Sequence, residues 1–139
     1  MQISLKRLLM EIMQLKQELM ELLLKIGETN LNQSDLFTEE KPSLFLPEGR
    51  TIYLEGDHYY IVGIERGKIN SKKKFDNKDD ILYYLLQSYV TRIASKNAWT
   101  NANGDFERYG TLFEEEQIRL FSIIDPKYGE RRRKETEIN

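Results

Sequence analysis

Apolar side chains recur along the first third of this chain with a helical beat. Leu8, Ile12, Leu15, Leu19, Leu22 and Ile26 follow one another at spacings of four and three, and Leu5, Leu9 and Leu23 widen the stripe. This pattern predicts a helix over about 4–26, capped by Ser4 and ended by Gly27. The beat changes after Gly49. Thr51 to Leu54, Tyr59 to Glu65 and Ile69 to Phe75 are short runs of strand formers, separated by Glu55-Gly56-Asp57 and by a turn at Gly67. Alternation puts Tyr60, Val62 and Ile64 on one face of the middle run, opposite Tyr59, Ile61 and Gly63.

The helical beat then returns. Asp76 or Asn77 caps a helix over about 78–98, with Leu82, Leu85, Leu86, Tyr89, Ile93 and Asn97 on one face and Tyr83, Val90 and Ala94 beside them. Thr100 to Gly104 breaks it. Asp105 caps the next helix, about 105–124, in which Phe106, Tyr109, Phe113, Gln117, Leu120 and Ile124 line up at core spacing. Asp125-Pro126 opens a last helix, about 126–136. The stretch 27–50, with Pro42 and Pro47 around Leu44, Phe45 and Leu46, reads as a loop that dips into the core.

The expected fold is therefore one α+β domain over 1–139: a long N-terminal helix, a small antiparallel three-stranded sheet over about 51–75, and two or three C-terminal amphipathic helices packed on it. A length of 139 residues is enough to bury a core without a metal or disulfide staple. The heptad-like register of the first helix also allows a homodimer through that helix, and with it a structural or homodimeric adaptor protein as an alternative function.

Composition narrows the chemistry. The chain has no cysteine, which excludes disulfides and thiolate chemistry and suits a reducing cytoplasm. Charged residues interrupt the first 26 positions too often for a secretion signal or a membrane span. His58 beside Asp57 is the one histidine pair that could act as a base, yet no residue pattern nominates a nucleophile for it. A single histidine without cysteine also leaves no transition-metal ligand set. Glu114, Glu115 and Glu116 are consecutive on a helix and cannot converge on one ion. No cofactor, metal or enzymatic activity is expected.

Charge is unevenly spread. From Glu28 to Asp57, seven acids face Lys41 and Arg50, a segment suited to steering a basic partner. Lys72, Lys73 and Lys74, and Arg131, Arg132, Arg133 and Lys134, form two basic clusters. These permit a phosphate-directed nucleic-acid module as an alternative. The lysines also suit an edge strand, and the arginines suit a helix C-terminus. Successive tyrosines (Tyr59-Tyr60, Tyr83-Tyr84) cannot all face one core. Tyr59, Tyr84 and Trp99 are thus candidate partner anchors. With the acids Glu55, Asp57, Glu114 and Glu115 they make up the expected partner-binding set.

Four ordered motifs carry a resemblance. They are HYYIVGIERG at His58 to Gly67, DNKDDILYYLLQSYVTRIA at Asp76 to Ala94, DFERYGTLFEEEQIRLF at Asp105 to Phe121, and Tyr128 after a Pro-containing turn. In this order they resemble the immunity protein 63 family of small bacterial proteins associated with polymorphic toxin systems. Tyr84 stands where that family often has Trp, and Asp105 to Arg108 keeps one of its usual basic residues. The resemblance implies a cytoplasmic antidote, encoded beside a toxin, that neutralises the toxin domain, with a nuclease as one candidate, by direct stoichiometric binding.

Overall fold

The computed structural model describes residues 5–39, 41 and 48–138. Within them run α1 (Leu5–Leu24), β1 (Asp35–Phe37), β2 (Gly49–Glu55), β3 (His58–Glu65), β4 (Lys68–Phe75), α2 (Lys78–Ala102), α3 (Phe106–Ile124) and α4 (Pro126–Ile138). The chain divides into two compact units. One comprises residues 1–20 and 30–82, the other 21–29 and 83–139. Ser4, Leu44, Phe45 and Leu46, expected as a helix cap and as core-directed loop residues, lie outside the described residues.

The first unit holds the sheet, in the order β1-β2-β3-β4. The α+β class stands, but the sheet has four strands and is mixed. Asp35–Phe37, expected within a loop, pairs in parallel with Arg50–Ile52, whereas β2, β3 and β4 are antiparallel. Electrostatics anchors this extra strand. Arg50 donates from both arms of its guanidinium to Asp35, at 2.9 and 2.8 Å, and the Asp35 side chain is almost wholly buried. Gly49 is needed where β2 begins. Its φ is +111°, and a Cβ there would lie 2.1 Å from the Ser34 carbonyl oxygen. The hairpin turns use positive φ at Gly56 and at Arg66-Gly67, as tight connections between twisted strands require.

Both faces of β3 are buried. Ile52, Leu54, Tyr59, Ile61 and Phe75 lie on one side, where α1 contributes Ile12, Leu15 and Leu19. Lys16 of α1 stands over the Phe37 ring, and Lys78 donates to Glu18 at 2.9 Å. The opposite side carries a separate cluster of Tyr53, Val62 and Ile64 with Tyr60, whose ring stacks on Tyr53 at 5.2 Å.

The second unit is helical. Asn77, just ahead of α2 and still in the first unit, accepts from the Asp80 amide and in return donates to the Asp80 carboxylate. From there α2 runs to Ala102, four residues beyond the expected end, and stops at the left-handed pair Asn103-Gly104. Its buried side is Leu85, Leu86, Tyr89, Val90, Ala94, Ala98 and Ala102. Ile93 and Asn97, expected on the core face, are half-buried at its border. Tyr83 anchors the unit: it stacks on Phe121 at 4.9 Å, lies against Tyr128 and donates its hydroxyl to Glu135 at 2.6 Å. Asp125 alone joins α3 to α4. Its amide donates to Phe121 O and its carboxylate accepts from the Lys127 amide. The helices then approach so closely that a Cβ at Gly129 would meet Ser122 Cα at 2.8 Å. The Lys25 ammonium donates to the Ile124 carbonyl at 2.9 Å, a cation at the negative end of α3.

Candidate functional site

The candidate surface with the most developed geometry is an aromatic patch in the second unit, where α2 ends and α3 begins. The turn Asn103-Gly104 reverses the chain, and Asp105 caps α3 by accepting from the amides of Glu107 and Arg108. That reversal brings Trp99, near the end of α2, against the first two turns of α3. Trp99 stacks on Tyr109 with centroids 4.0 Å apart and meets Phe106 edge-on at 5.3 Å. Tyr109 stacks in turn on Phe113 at 5.6 Å. The Tyr109 hydroxyl pairs with Ser95 Oγ at 3.0 Å, which fixes the ring between the helices.

This patch is open to solvent. Phe106 is 76% exposed and Trp99 42%, while Tyr109 and Phe113 are half-buried. Helical geometry places Glu107 and Glu114 on one flank of the Phe106–Phe113 row, at about 100° and 80° from Phe106. Glu116 lies on the other flank. It accepts from Asn97 at 2.9 Å and from both arms of Arg119, and the Arg119 hydrogen bonds hold its carboxyl below the usual range. Lys96 is exposed about 60° from Trp99 on α2.

The expected partner-binding residues have distinct settings. Trp99 is exposed, and Glu114 borders its patch. Glu115 is exposed too, but about 180° around α3 from Phe106. Tyr84 is half-buried, about 22 Å along α2 from Trp99. In the first unit, Glu55 and Asp57 are exposed at the β2–β3 turn, and Glu55 lies 3.8 Å from the Lys41 ammonium. Tyr59 departs from expectation. It is only 9% exposed because its side of β3 faces α1, and this burial raises its phenol pKa. Phe106, Tyr109 and Phe113 are the residues that sequence reasoning misplaced, since core spacing in a helix looks the same whether or not a neighbour covers it.

The other candidate chemistries fare less well. His58 Nδ1 lies 3.3 Å from the Asp76 carboxylate but makes no hydrogen bond there. Among the described residues no group of acids and histidine could hold a metal ion, and no helix is long and apolar enough to cross a membrane. The arginine run is engaged internally. Arg131 covers the Tyr83 ring at 4.2 Å, Arg132 pairs with Glu135, and Arg133 pairs with Glu130 and Glu137. On the exposed edge strand β4, Lys72 stands 5.0 Å from the Tyr60 centroid. The acidic stretch is also partly structural, with Asp35 held by Arg50 and Glu28 by Arg92.

The family model described as Immunity protein 63 matches residues 55–138, more than half of the chain. The chain belongs to the immunity protein 63 family. The matched segment contains the whole aromatic patch. No curated protein and no solved structure matches the chain.

Proposed function

We propose that this protein is a cytoplasmic antidote that neutralises a cognate bacterial toxin domain by direct, stoichiometric binding and without turnover. Membership of the immunity protein 63 family supports the neutralising role. The observation that carries the choice of surface is the exposed Trp99–Phe106–Tyr109–Phe113 cluster. Aromatic rings already stacked on one another lose little freedom when a partner covers them, and such rings dominate binding energy at protein interfaces. Glu107 and Glu114 on one flank favour a basic partner surface, as a nuclease toxin presents to its substrate. Glu55 and Asp57, exposed on the β2–β3 turn, add to the long-range attraction.

The test is co-purification with the toxin encoded beside this gene, followed by affinity measurement on Phe106→Ala and Trp99→Ala. Each substitution is expected to weaken binding by about 2 kcal/mol, roughly thirtyfold, mainly through faster dissociation. Unchanged affinity in both folded variants would remove the patch from the interface. Persistent toxicity on co-expression of the wild-type chain would remove the neutralising role itself.

A further inference from the structure

Helix α1 lies outside the family-matched residues and carries a feature that toxin binding through the aromatic patch does not use. Its buried stripe, Ile12, Leu15, Leu19 and Leu23, occupies one side. Immediately beside that stripe runs a second apolar row. Leu5, Leu9, Met10, Met13, Met20 and Leu24 are all exposed, with 57% of Leu5 and 59% of Leu24 open to solvent. At about 100° per residue, Leu5, Leu9, Met13, Met20 and Leu24 fall within roughly 100° of arc. One continuous helix thus presents a second coherent apolar face.

The row reads nearly the same in both directions. About the helix midpoint, Leu5 mirrors Leu24, Leu9 mirrors Met20 and Met13 mirrors Lys16. Lys16 is half-buried, with its ammonium 5.9 Å from the Phe37 centroid, so a cation does not project from the centre of the row. Self-complementarity of this kind is what a two-fold interface requires, because each residue must meet its own mirror partner. A paired row about 30 Å long covers on the order of 1,000 Å² in total, the lower end for a specific interface.

We infer that α1 is a homodimerisation surface, pairing antiparallel with α1 of a second copy through Leu5, Leu9, Met13, Met20 and Leu24. The inference stands apart from the toxin-binding reading, since the residues involved are different.

The absence of cysteine makes the register directly testable. In the antiparallel pair, Met13 lies about 4.5 Å along the axis from its counterpart, whereas the two Leu5 positions are about 28 Å apart. Met13→Cys is therefore expected to form a disulfide-linked dimer under mild oxidation. Leu5→Cys alone is expected not to, while an equimolar mixture of Leu5→Cys with Leu24→Cys is. Sedimentation of the unmodified full chain over a concentration series should give twice the monomer mass, and Leu9→Glu with Met20→Glu should return it to the monomer with unchanged helical circular dichroism. A monomer at every concentration overturns the proposal, as does a dimer untouched by the glutamates. Cross-linking of Leu5→Cys alone as readily as Met13→Cys overturns the antiparallel register. If the glutamate variant fails to fold, the cysteine pattern decides the question by itself.

Discussion

The two halves of α3 carry the same kind of residue on the same side and use it differently. In the second half, Gln117, Leu120, Phe121 and Ile124 are buried, with Phe121 stacked on Tyr83. In the first half, Phe106, Tyr109 and Phe113 continue that line, yet among the described residues their aromatic cover comes from Trp99 and from one another. The second half thus contributes to stability through desolvation and packing. The first half keeps much of its apolar surface in water and holds it in a fixed arrangement. One stripe is packed into a core at one end and left open at the other.

The sharpest way to break this contrast is to truncate one ring at each end. Phe121→Ala should cost about 3–5 kcal/mol of stability, because the cavity lies in a packed core, and should appear as a large drop in the denaturation midpoint. Phe106→Ala should leave stability within about 0.5 kcal/mol. Its effect should appear in toxin affinity, at the roughly thirtyfold level set out for the patch. If both variants unfold alike, the two halves are one core and the contrast fails.

Alkaline titration sharpens the comparison from the buried side. Burial, and then the hydrogen bond to Glu135, raise the Tyr83 pKa well above its ordinary value of 10.0. A proton held more tightly in the folded state means that this contribution is complete below the unfolded pKa. It is lost as the pH rises past about 10 toward the folded value. Thermal unfolding at rising pH should show that loss, and Tyr83→Phe should remove the Tyr83 part of it. No loss above pH 10 attributable to Tyr83 would mean its ring is less enclosed than described.

The smallest effect is expected at the rim. Glu114→Lys should leave stability nearly unchanged and should lower the association rate with a basic toxin, most visibly at low salt. Glu115→Lys, on the far side of α3, should do less. Equal effects from both would show that the charge acts as a general field and not as part of a particular face.

Much of this arrangement was legible in the residues. Apolar periodicity marks α1 and α3, the caps Asn77, Asp105 and Asp125 mark the starts of α2, α3 and α4, and the hairpins announce themselves through Gly56 and Gly67. What escaped was what depends on distant neighbours. β1 is three residues long, and only its pairing with β2, and of Asp35 with Arg50, distinguishes it from a loop. Alternation separates Tyr59 from Tyr60 but does not reveal that both faces of β3 are buried, nor that Tyr59 lies deeper. The row Phe106–Tyr109–Phe113 has core spacing because it extends a core stripe, and its exposure is decided by where α2 stops.

The lone residue between α3 and α4 has a wider implication. Asp125 closes the last turn of one helix through its amide and the first turn of the next through its carboxylate. A connection this short has almost no slack. The two helices are consequently expected to order as a single hairpin, with the thirteen-residue α4 following α3. The aromatic rows that would meet a partner are thus mounted on an element whose far end is locked, so little of their order remains to be established at the moment of encounter.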